Sequence, residues 1–407
     1  HKLPAPLRPA PPNPGKSVNT ALAPGQAAEP QSFAALRHPG YRMFLLGNAL
    51  AMMADAIEHV ITYWIAFQKF HSPALGGFAV VSHWLPFLLF STYSGALADR
   101  FDTRRMIQIG MAMFMFCSLA WSLLFLTDSL EMWHAAALLL VHGCAGVFWG
   151  PPSQVLIHDM VDNRQLPSAV RLMATSRYLG LLAAPAVGAG VLLLFGPSYG
   201  LMLNALIYLP LLLWLWKAPY GPRFRPAGQI PCAVSRGFAD VLATARAIVG
   251  ERTIVTMILL SGFASLIIAN AYQAQMPEFG EDLGHGDADF SYSALLAADA
   301  AGAIAAGVIL ESRGMLQPNA RTAFFELSFS SMAQSLVQLH APPQMRGRVI
   351  GLYSMAALGL KSFSGVTVGL TGSVIGIHWS LAASAMLLLT ILTGLFVLVP
   401  PPRQNAK

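Results

Sequence analysis

Residues 201–216 read LMLNALIYLPLLLWLW, an apolar run with a single amide side chain, Asn204. Strands of a membrane barrel alternate apolar and polar residues over about ten positions, and this run does not alternate. Similar runs extend outward along all 407 residues, of which 55% are hydrophobic and 11% charged. Soluble domains carry about 25% charged residues. The sequence therefore predicts an all-α membrane protein and excludes a soluble enzyme.

Eleven apolar stretches are long enough to cross the hydrocarbon core, which takes about 20 helical residues. Lysine and arginine alternate between rich and poor connections, which places the N-terminus and every even connection in the cytoplasm. The net charge of +6 follows from this bias and requires no nucleic-acid partner. We place the spans at 43–66, 76–98, 104–126, 132–156, 169–195, 198–217, 254–276, 290–312, 324–341, 349–375 and 379–400.

The charge alternation fails after the eighth connection. A single span at 324–341 would put Arg346, Arg348 and the basic C-terminus outside the cytoplasm, against the usual bias. One further span between Ala323 and Phe324 restores the pattern. We therefore predict that a ninth helix of about 20 to 30 residues is missing at this junction, and that both termini are cytoplasmic.

The spans fall into two six-helix halves, of which the second shows five. Residues 1–34 contain eight prolines and few large apolar side chains, so they cannot bury a core and are expected to be a disordered tail. The predicted units are the tail 1–34, the first half 35–217, a cytoplasmic linker 218–253 with an amphipathic helix from Val234 to Ile248, the second half 254–400 and a cytoplasmic tail 401–407.

Three motifs carry a family resemblance. Residues 95–105, GALADRFDTRR, resemble the signature between helices 2 and 3 of the major facilitator superfamily, with Asp102 in place of the second glycine. Residues 180–189, GLLAAPAVGA, resemble the helix 5 signature of proton-coupled exporters, with alanine at two glycine positions. Residues 164–169 and 346–348 resemble the enterobactin-exporter-like branch. The resemblance covers about 37–400 and implies the major facilitator fold with alternating access.

The first two motifs imply roles for named residues. A cytoplasmic gate, in which Asp99 lies near the arginines, is expected from Gly95, Asp99, Arg100 and Arg104. Bending and close packing of helix 5 are expected from Gly180, Pro185 and Gly188. The alternative readings are that the charges only set topology and that the glycines serve ordinary packing.

The first span carries polar residues at i, i+3, i+4, i+7 and i+8, namely Asp55, Glu58, His59, Thr62 and Tyr63. This spacing places all five on one helix face. Ionisable groups within the bilayer are costly and are functional candidates by default. We expect this face to line a wet cavity in which the carboxylates exchange protons.

Other ionisable residues fall inside spans, either as cavity groups or as static ion pairs: Arg177, Asp299, Lys361 and Glu326. We assign no resident metal or cofactor. The alternative is a divalent-metal site made by Asp55, Glu58 and His59 with one histidine of the set His83, His134 and His142.

Two other spans carry weaker polar faces, which helix packing explains equally well. They are Ser328, Ser331, Ser335 and Gln338 on one span and Ser261, Ser265 and Tyr272 on the other. Trp84, Phe148 and Trp149 are candidate aromatic walls.

The sequence lacks the phosphate loop G-x-x-x-x-G-K-[ST], so ATP hydrolysis by that route is excluded and an ion gradient must supply the energy. We predict a proton-coupled secondary transporter, acting as a monomer in the bacterial inner membrane and exporting a small amphipathic siderophore, metabolite or drug. The alternatives are an importer or divalent-metal carrier of the same fold, or a transport-inactive membrane sensor.

Overall fold

The structure is a computed structural model that describes residues 33–70, 73–221, 224, 238–267 and 329–398, with single positions between 298 and 312. All regular secondary structure in these residues is helical, and a π-helical turn, Met355–Gly359, joins α10 to α11. The helices are α1 (Pro39–Phe70), α2 (Pro73–Arg100), α3 (Thr103–Leu126), α4 (Met132–Ile157), α5 (Leu166–Ile207), α6 (Leu209–Lys217), α7 (Phe238–Ile248), α8 (Arg252–Ile267), α9 (Phe329–His340), α10 (Arg346–Ser354), α11 (Lys361–Ile375) and α12 (Ile377–Leu398).

Some predicted features lie outside the described residues. These are the tail up to residue 32, most of the span 290–312, Asp299, Glu326 and the junction between Ala323 and Phe324. The missing ninth helix therefore stays a prediction. The helix α7 lies within the linker segment that is predicted to form an amphipathic helix.

Every predicted span that falls on described residues forms a helix. The fifth and sixth spans meet inside α5, where Gly196 has φ 72° and ψ 174° and breaks the helix. Glycine adopts this backbone at little cost, and its position confirms the boundary predicted between residues 195 and 198. By length and composition, five described helices can cross a membrane: Pro39–Tyr63, Thr103–Leu126, Met132–Ile157, Gly190–Lys217 and His378–Leu395.

Helices α1 and α5 pack in parallel through the glycines of the helix 5 motif. A Cβ added to Gly180 would lie 3.2 Å from the Cβ of Met52, and one added to Gly188 would lie 3.5 Å from that of Val60. Both pairs are offset by 128 residues, so the helices run side by side in one register. Pro185 lies in α5 between the two glycines.

Helices α2 and α10 join the two halves through a row of glycines. A Cβ on Gly95 would overlap the carbonyl oxygen of Gly347, and a Cβ on Gly351 or Gly359 would overlap backbone atoms of α2. Small residues allow such close approach between membrane helices. The contact closes one end of the bundle, the end at which the loop between α2 and α3 lies.

Candidate functional site

The polar face of α1 is directed into the first half of the bundle. Asp55 and Glu58 are both buried, and His59 Nδ1 lies 3.9 Å from Asp55 Oδ2. The Tyr63 ring lies 4.9 Å from the His59 ring. Thr62 instead donates its hydroxyl to the Glu58 carbonyl oxygen at 2.7 Å, so it serves the backbone of its own helix.

His142 of α4 bridges the two carboxylates of α1. Its Nε2 lies 2.8 Å from Asp55 Oδ1 and its Nδ1 lies 2.9 Å from Glu58 Oε1. A neutral imidazole donates from one nitrogen only. The bridge therefore contains an added proton, either on the imidazole as imidazolium or on one of the carboxyl groups. The three buried groups together form a unit that can hold and release a proton.

A second layer of hydrogen bonds fixes Glu58. Ser118 of α3 donates its hydroxyl to Glu58 Oε2, and Asn204 Nδ2 donates to Ser118 Oγ at 3.2 Å. Asn204 also donates to the Ala54 carbonyl oxygen at 3.0 Å. Asn204 is the amide that interrupts the apolar run 201–216. Its contacts tie the second part of α5 to α1 and α3 beside the carboxylate.

Two further imidazoles, those of His59 and His83, lie beside His142 of this unit. The His59 ring lies 4.7 Å from the His142 ring and 5.0 Å from the His83 ring of α2. One ligand nitrogen from each lies within 4.8 Å of the others, so the three could hold a metal ion. His83 Nδ1 is buried without a hydrogen-bond partner in the described part of the chain. His134 lies apart, where its Nδ1 accepts a bond from the Glu131 N–H at the start of α4.

Two cations lie beyond the histidines, one from each half. Lys361, which begins α11, has its Nζ 4.8 Å from the centre of the Trp84 ring of α2. Arg177 of α5 is close enough to act electrostatically on both Lys361 and His83. Both cations are partly buried. Neither forms an ion pair with any described carboxylate.

The predicted gate residues lie at the contact between α2 and α10. Asp99 accepts the N–H of Gly347 at 2.6 Å and the N–H of Arg348 at 3.1 Å. These are free amides of the first turn of α10, where the helix dipole favours a negative charge. Gly95 lies one turn earlier in α2, and Arg100 is exposed at the end of that helix.

Arg104, the other predicted gate arginine, pairs with Asp102. Its Nη2 lies 2.6 Å from Asp102 Oδ2, and Nη1 donates to the Ala218 carbonyl oxygen. Asp102 caps α3 by accepting the Arg104 N–H at 3.1 Å. Burial raises the pKa of Asp102, but the hydrogen bonds and charge of Arg104 outweigh it and hold that pKa below its ordinary value. Asp102, which stands where the family motif has glycine, thus caps α3 and pairs with Arg104.

The milder polar faces are used for helix packing. Ser261 donates to the Tyr353 hydroxyl at 3.3 Å and Ser265 to the Ala357 carbonyl oxygen at 2.6 Å. Trp149 is buried and donates to Asn48 Oδ1 at 3.0 Å. On α9, Gln338 Nε2 donates to Gln154 Oε1 at 3.3 Å, between the halves. Tyr272 and Ser328 lie outside the described residues.

Sequence reasoning missed the part of the site that comes from other helices. Ser118 and Asn204 carry no motif, although a lone asparagine in an apolar run is a signal that could have been used. His142 and His83 entered only as partners in a metal alternative. The spacing of residues along a helix predicts which of them share a face. It does not predict which neighbouring helix packs against that face.

The comparisons with known proteins agree with this architecture. The sequence model of a family described as "Transmembrane secretion effector", within the major facilitator superfamily, matches residues 30–324. The match ends at the junction where the charge pattern predicts a missing helix. No curated protein matches the chain.

Solved structures share the fold. The human organic anion transporter MFSD10 (TETRAN) aligns with a TM-score of 0.63 and 14% identity, over 88% of this chain and 99% of its own. The proton:xylose symporter XylE aligns with a TM-score of 0.65 and 14% identity, over 89% and 96%. At such low identity these likenesses concern the fold alone, and both structures have the major facilitator fold predicted here.

Proposed function

We propose that this chain, which belongs to the transmembrane secretion effector family of the major facilitator superfamily, is a proton-coupled exporter of a small amphipathic molecule. Family and fold make it a multi-pass membrane transporter and not an enzyme. Proton coupling, direction, substrate and location in a bacterial inner membrane with cytoplasmic termini are the proposed additions.

The observation that carries the proposal is the His142 bridge between Asp55 and Glu58. Buried charges within a bilayer are rare and mark proton and substrate pathways. Here three ionisable groups share one added proton, with both hydrogen bonds shorter than 3 Å. When substrate binding and protonation of this unit oppose each other, release of one favours loading of the other. His59 lies 3.9 Å from Asp55 and its ring lies 4.9 Å from the Tyr63 ring, so these two side chains would pass the proton.

The gate is proposed at the contact between α2 and α10. Alternating access requires the two halves to separate and close around a central site. The Asp99 carboxylate holds the start of α10 through two N–H groups, and the glycine row permits the close packing around it. Both interactions break together when the halves rock apart.

Outward transport is proposed from the description of the matched family and from one sequence motif. The family description names secretion, and residues 180–189 resemble the helix 5 signature of exporters. Residues 164–169 and 346–348 favour the enterobactin-exporter-like branch, so a siderophore, metabolite or drug is the expected type of substrate.

Neutralising either α1 carboxylate is expected to abolish coupled flux. In proteoliposomes that enclose a pH-sensitive dye, siderophores and small amphipathic organic acids should drive proton movement through the wild type. Asp55→Asn and Glu58→Gln should reduce it to the level of empty vesicles, since each removes one titratable carboxylate from the His142 bridge. The control Asp128→Asn changes an exposed carboxylate paired with Lys69 at 2.8 Å and should keep full flux. Flux that persists in both cavity variants would contradict the proposed proton site.

A divalent-metal carrier is the second candidate, favoured by the three imidazoles. Zinc binds imidazole nitrogen at about 2.0–2.1 Å, so its ligand atoms lie about 3.4 Å apart. The ligand nitrogens of the three histidines, which lie within 4.8 Å of one another, would have to draw closer. The unpartnered Nδ1 of His83 suits a ligand role. Against it, both His142 nitrogens already bond carboxylates, and Arg177 adds positive charge beside His83. Proton exchange with an organic substrate therefore ranks first.

The two candidates differ in their response to histidine removal. A metal carrier should move Zn²⁺, Ni²⁺ and Co²⁺ but not Mg²⁺, because imidazole favours the transition metals. His59→Ala and His83→Ala should then abolish metal flux, measured with a metal-sensitive dye inside the vesicles, while His134→Ala keeps it. Metal flux that is absent in the wild type, or unchanged in both variants, removes this candidate.

A further inference from the structure

The cations Arg177 and Lys361 form a charged cluster that the proton site does not use. Described carboxylates within the membrane part of the bundle are Asp55 and Glu58, and both are engaged by His142. Neither Arg177 nor Lys361 has an ion-pair partner in the described part of the chain. Two partly buried like charges that act on each other raise the free energy of the empty site.

An aromatic surface adjoins the two cations. The Trp84 ring lies under Lys361 at 4.8 Å and 4.6 Å from the His83 ring. His83 Nδ1 is buried with no hydrogen-bond partner among the described residues. The cluster therefore combines two positive charges, an indole face and a polar atom that lacks a bond. A ligand that satisfied all of them would carry negative charge next to a planar apolar group.

The cluster also spans both halves of the protein. Arg177 and Trp84 come from α5 and α2 of the first half, and Lys361 comes from α11 of the second. A Cβ on Gly359 would overlap the backbone of α2 at Leu88, so Lys361 lies just beyond the place where the halves touch. A ligand held by both cations would bridge the moving parts, as transport by alternating access requires.

We propose that Arg177, Lys361 and Trp84 form the binding site for the transported molecule, and that this molecule is an amphipathic organic anion, a carboxylate or sulfonate with an aromatic part. The proposal rests on the proposed transport of a small amphipathic molecule and adds its charge. Anion binding offsets the repulsion between the two cations. Charge-assisted hydrogen bonds to guanidinium and ammonium groups supply the affinity.

The test measures binding and stability without a proton gradient, so its outcome is independent of proton coupling. The full chain in lipid nanodiscs is titrated with 1-naphthoate, 1-naphthalenesulfonate and the matched cation 1-naphthylmethylammonium, while the thermal unfolding midpoint is recorded. The two anions should raise the midpoint and the cation should not. Arg177→Gln and Lys361→Gln should each weaken anion binding about tenfold or more. Lys361→Arg should retain binding, as should Lys217→Gln, which changes an exposed lysine at the end of α6.

The same variants separate a ligand site from a structural ion pair. With no ligand, Arg177→Gln should raise the unfolding midpoint, because it removes the repulsion between the two cations and leaves the contact of Lys361 with the Trp84 ring in place. A midpoint lowered by Arg177→Gln would show that Arg177 pairs with a carboxylate of the protein, and would overturn the proposal. Stabilisation by the ammonium probe, failure of both anions to bind, or anion binding unchanged in both variants would overturn it as well.

Discussion

His142→Gln is expected to abolish substrate-driven proton flux while the chain still inserts and folds. Glutamine can keep one hydrogen bond to the α1 carboxylates, but it cannot carry the shared positive charge. Removing one partner of a buried ion pair costs about 3–5 kcal/mol, and each 1.4 kcal/mol is about a factor of ten. The bridge therefore loses the group that shares its proton with Asp55 and Glu58, and coupled flux should fall about a hundredfold or more.

The matched control for this variant lies on the same helix. His134→Gln changes a histidine that bonds the α4 backbone near its start and should leave flux unchanged. Proton flux and the thermal unfolding midpoint are measured together in proteoliposomes. If His142→Gln keeps wild-type flux, the bridge is a structural contact and the proton is carried elsewhere.

Gly95→Ala is expected to stop transport by preventing closure between α2 and α10. The added Cβ would overlap the Gly347 carbonyl oxygen, so the helices must separate before the variant can fit. This separation also withdraws the Asp99 carboxylate from its two N–H donors. Each charge-assisted hydrogen bond contributes about 1.5–3 kcal/mol, so losing the pair shifts the closed-to-open equilibrium about a hundredfold or more.

The rate at which a thiol reagent labels a buried cysteine measures this shift of the closed-to-open equilibrium. In a background without native cysteines, Ser91→Cys on the buried face of α2 should react with an impermeant thiol reagent faster once Gly95→Ala is added. The control Gly394→Ala on α12 places its Cβ where nothing lies within 4 Å and should change neither labelling nor flux. Equal labelling with and without Gly95→Ala would show that this contact does not gate access.

The sequence was sufficient to predict the fold because bilayer thickness and loop charge act on each span separately. The break at Gly196 fell where the fifth span was expected to end, and α10 with α11 filled the span 349–375. The motif indicated a gate around Asp99, Arg100 and Arg104 but did not indicate which groups pair. Arg104 pairs with Asp102, the residue that replaces a family glycine.

The candidate site was predictable only in part. The spacing along α1 indicated Asp55, Glu58 and His59 together, since one helix determines their common face. Their partners His142 and Ser118 come from other helices, and their proximity depends on how each helix is rotated in the bundle. A single sequence holds no measure of that rotation, so the bridge could be found only in three dimensions.

The π-helical turn Met355–Gly359 sets the direction of Lys361. Such a turn holds one more residue than the regular helix, and it is equivalent to a one-residue insertion. Each residue of an α-helix advances by about 100°, so removing that residue would rotate Lys361 and all of α11 by this angle relative to α10. The direction in which Lys361 points therefore depends on the number of residues in this turn. Deleting one residue of the turn would rotate Lys361 away from Trp84 although no functional side chain is changed.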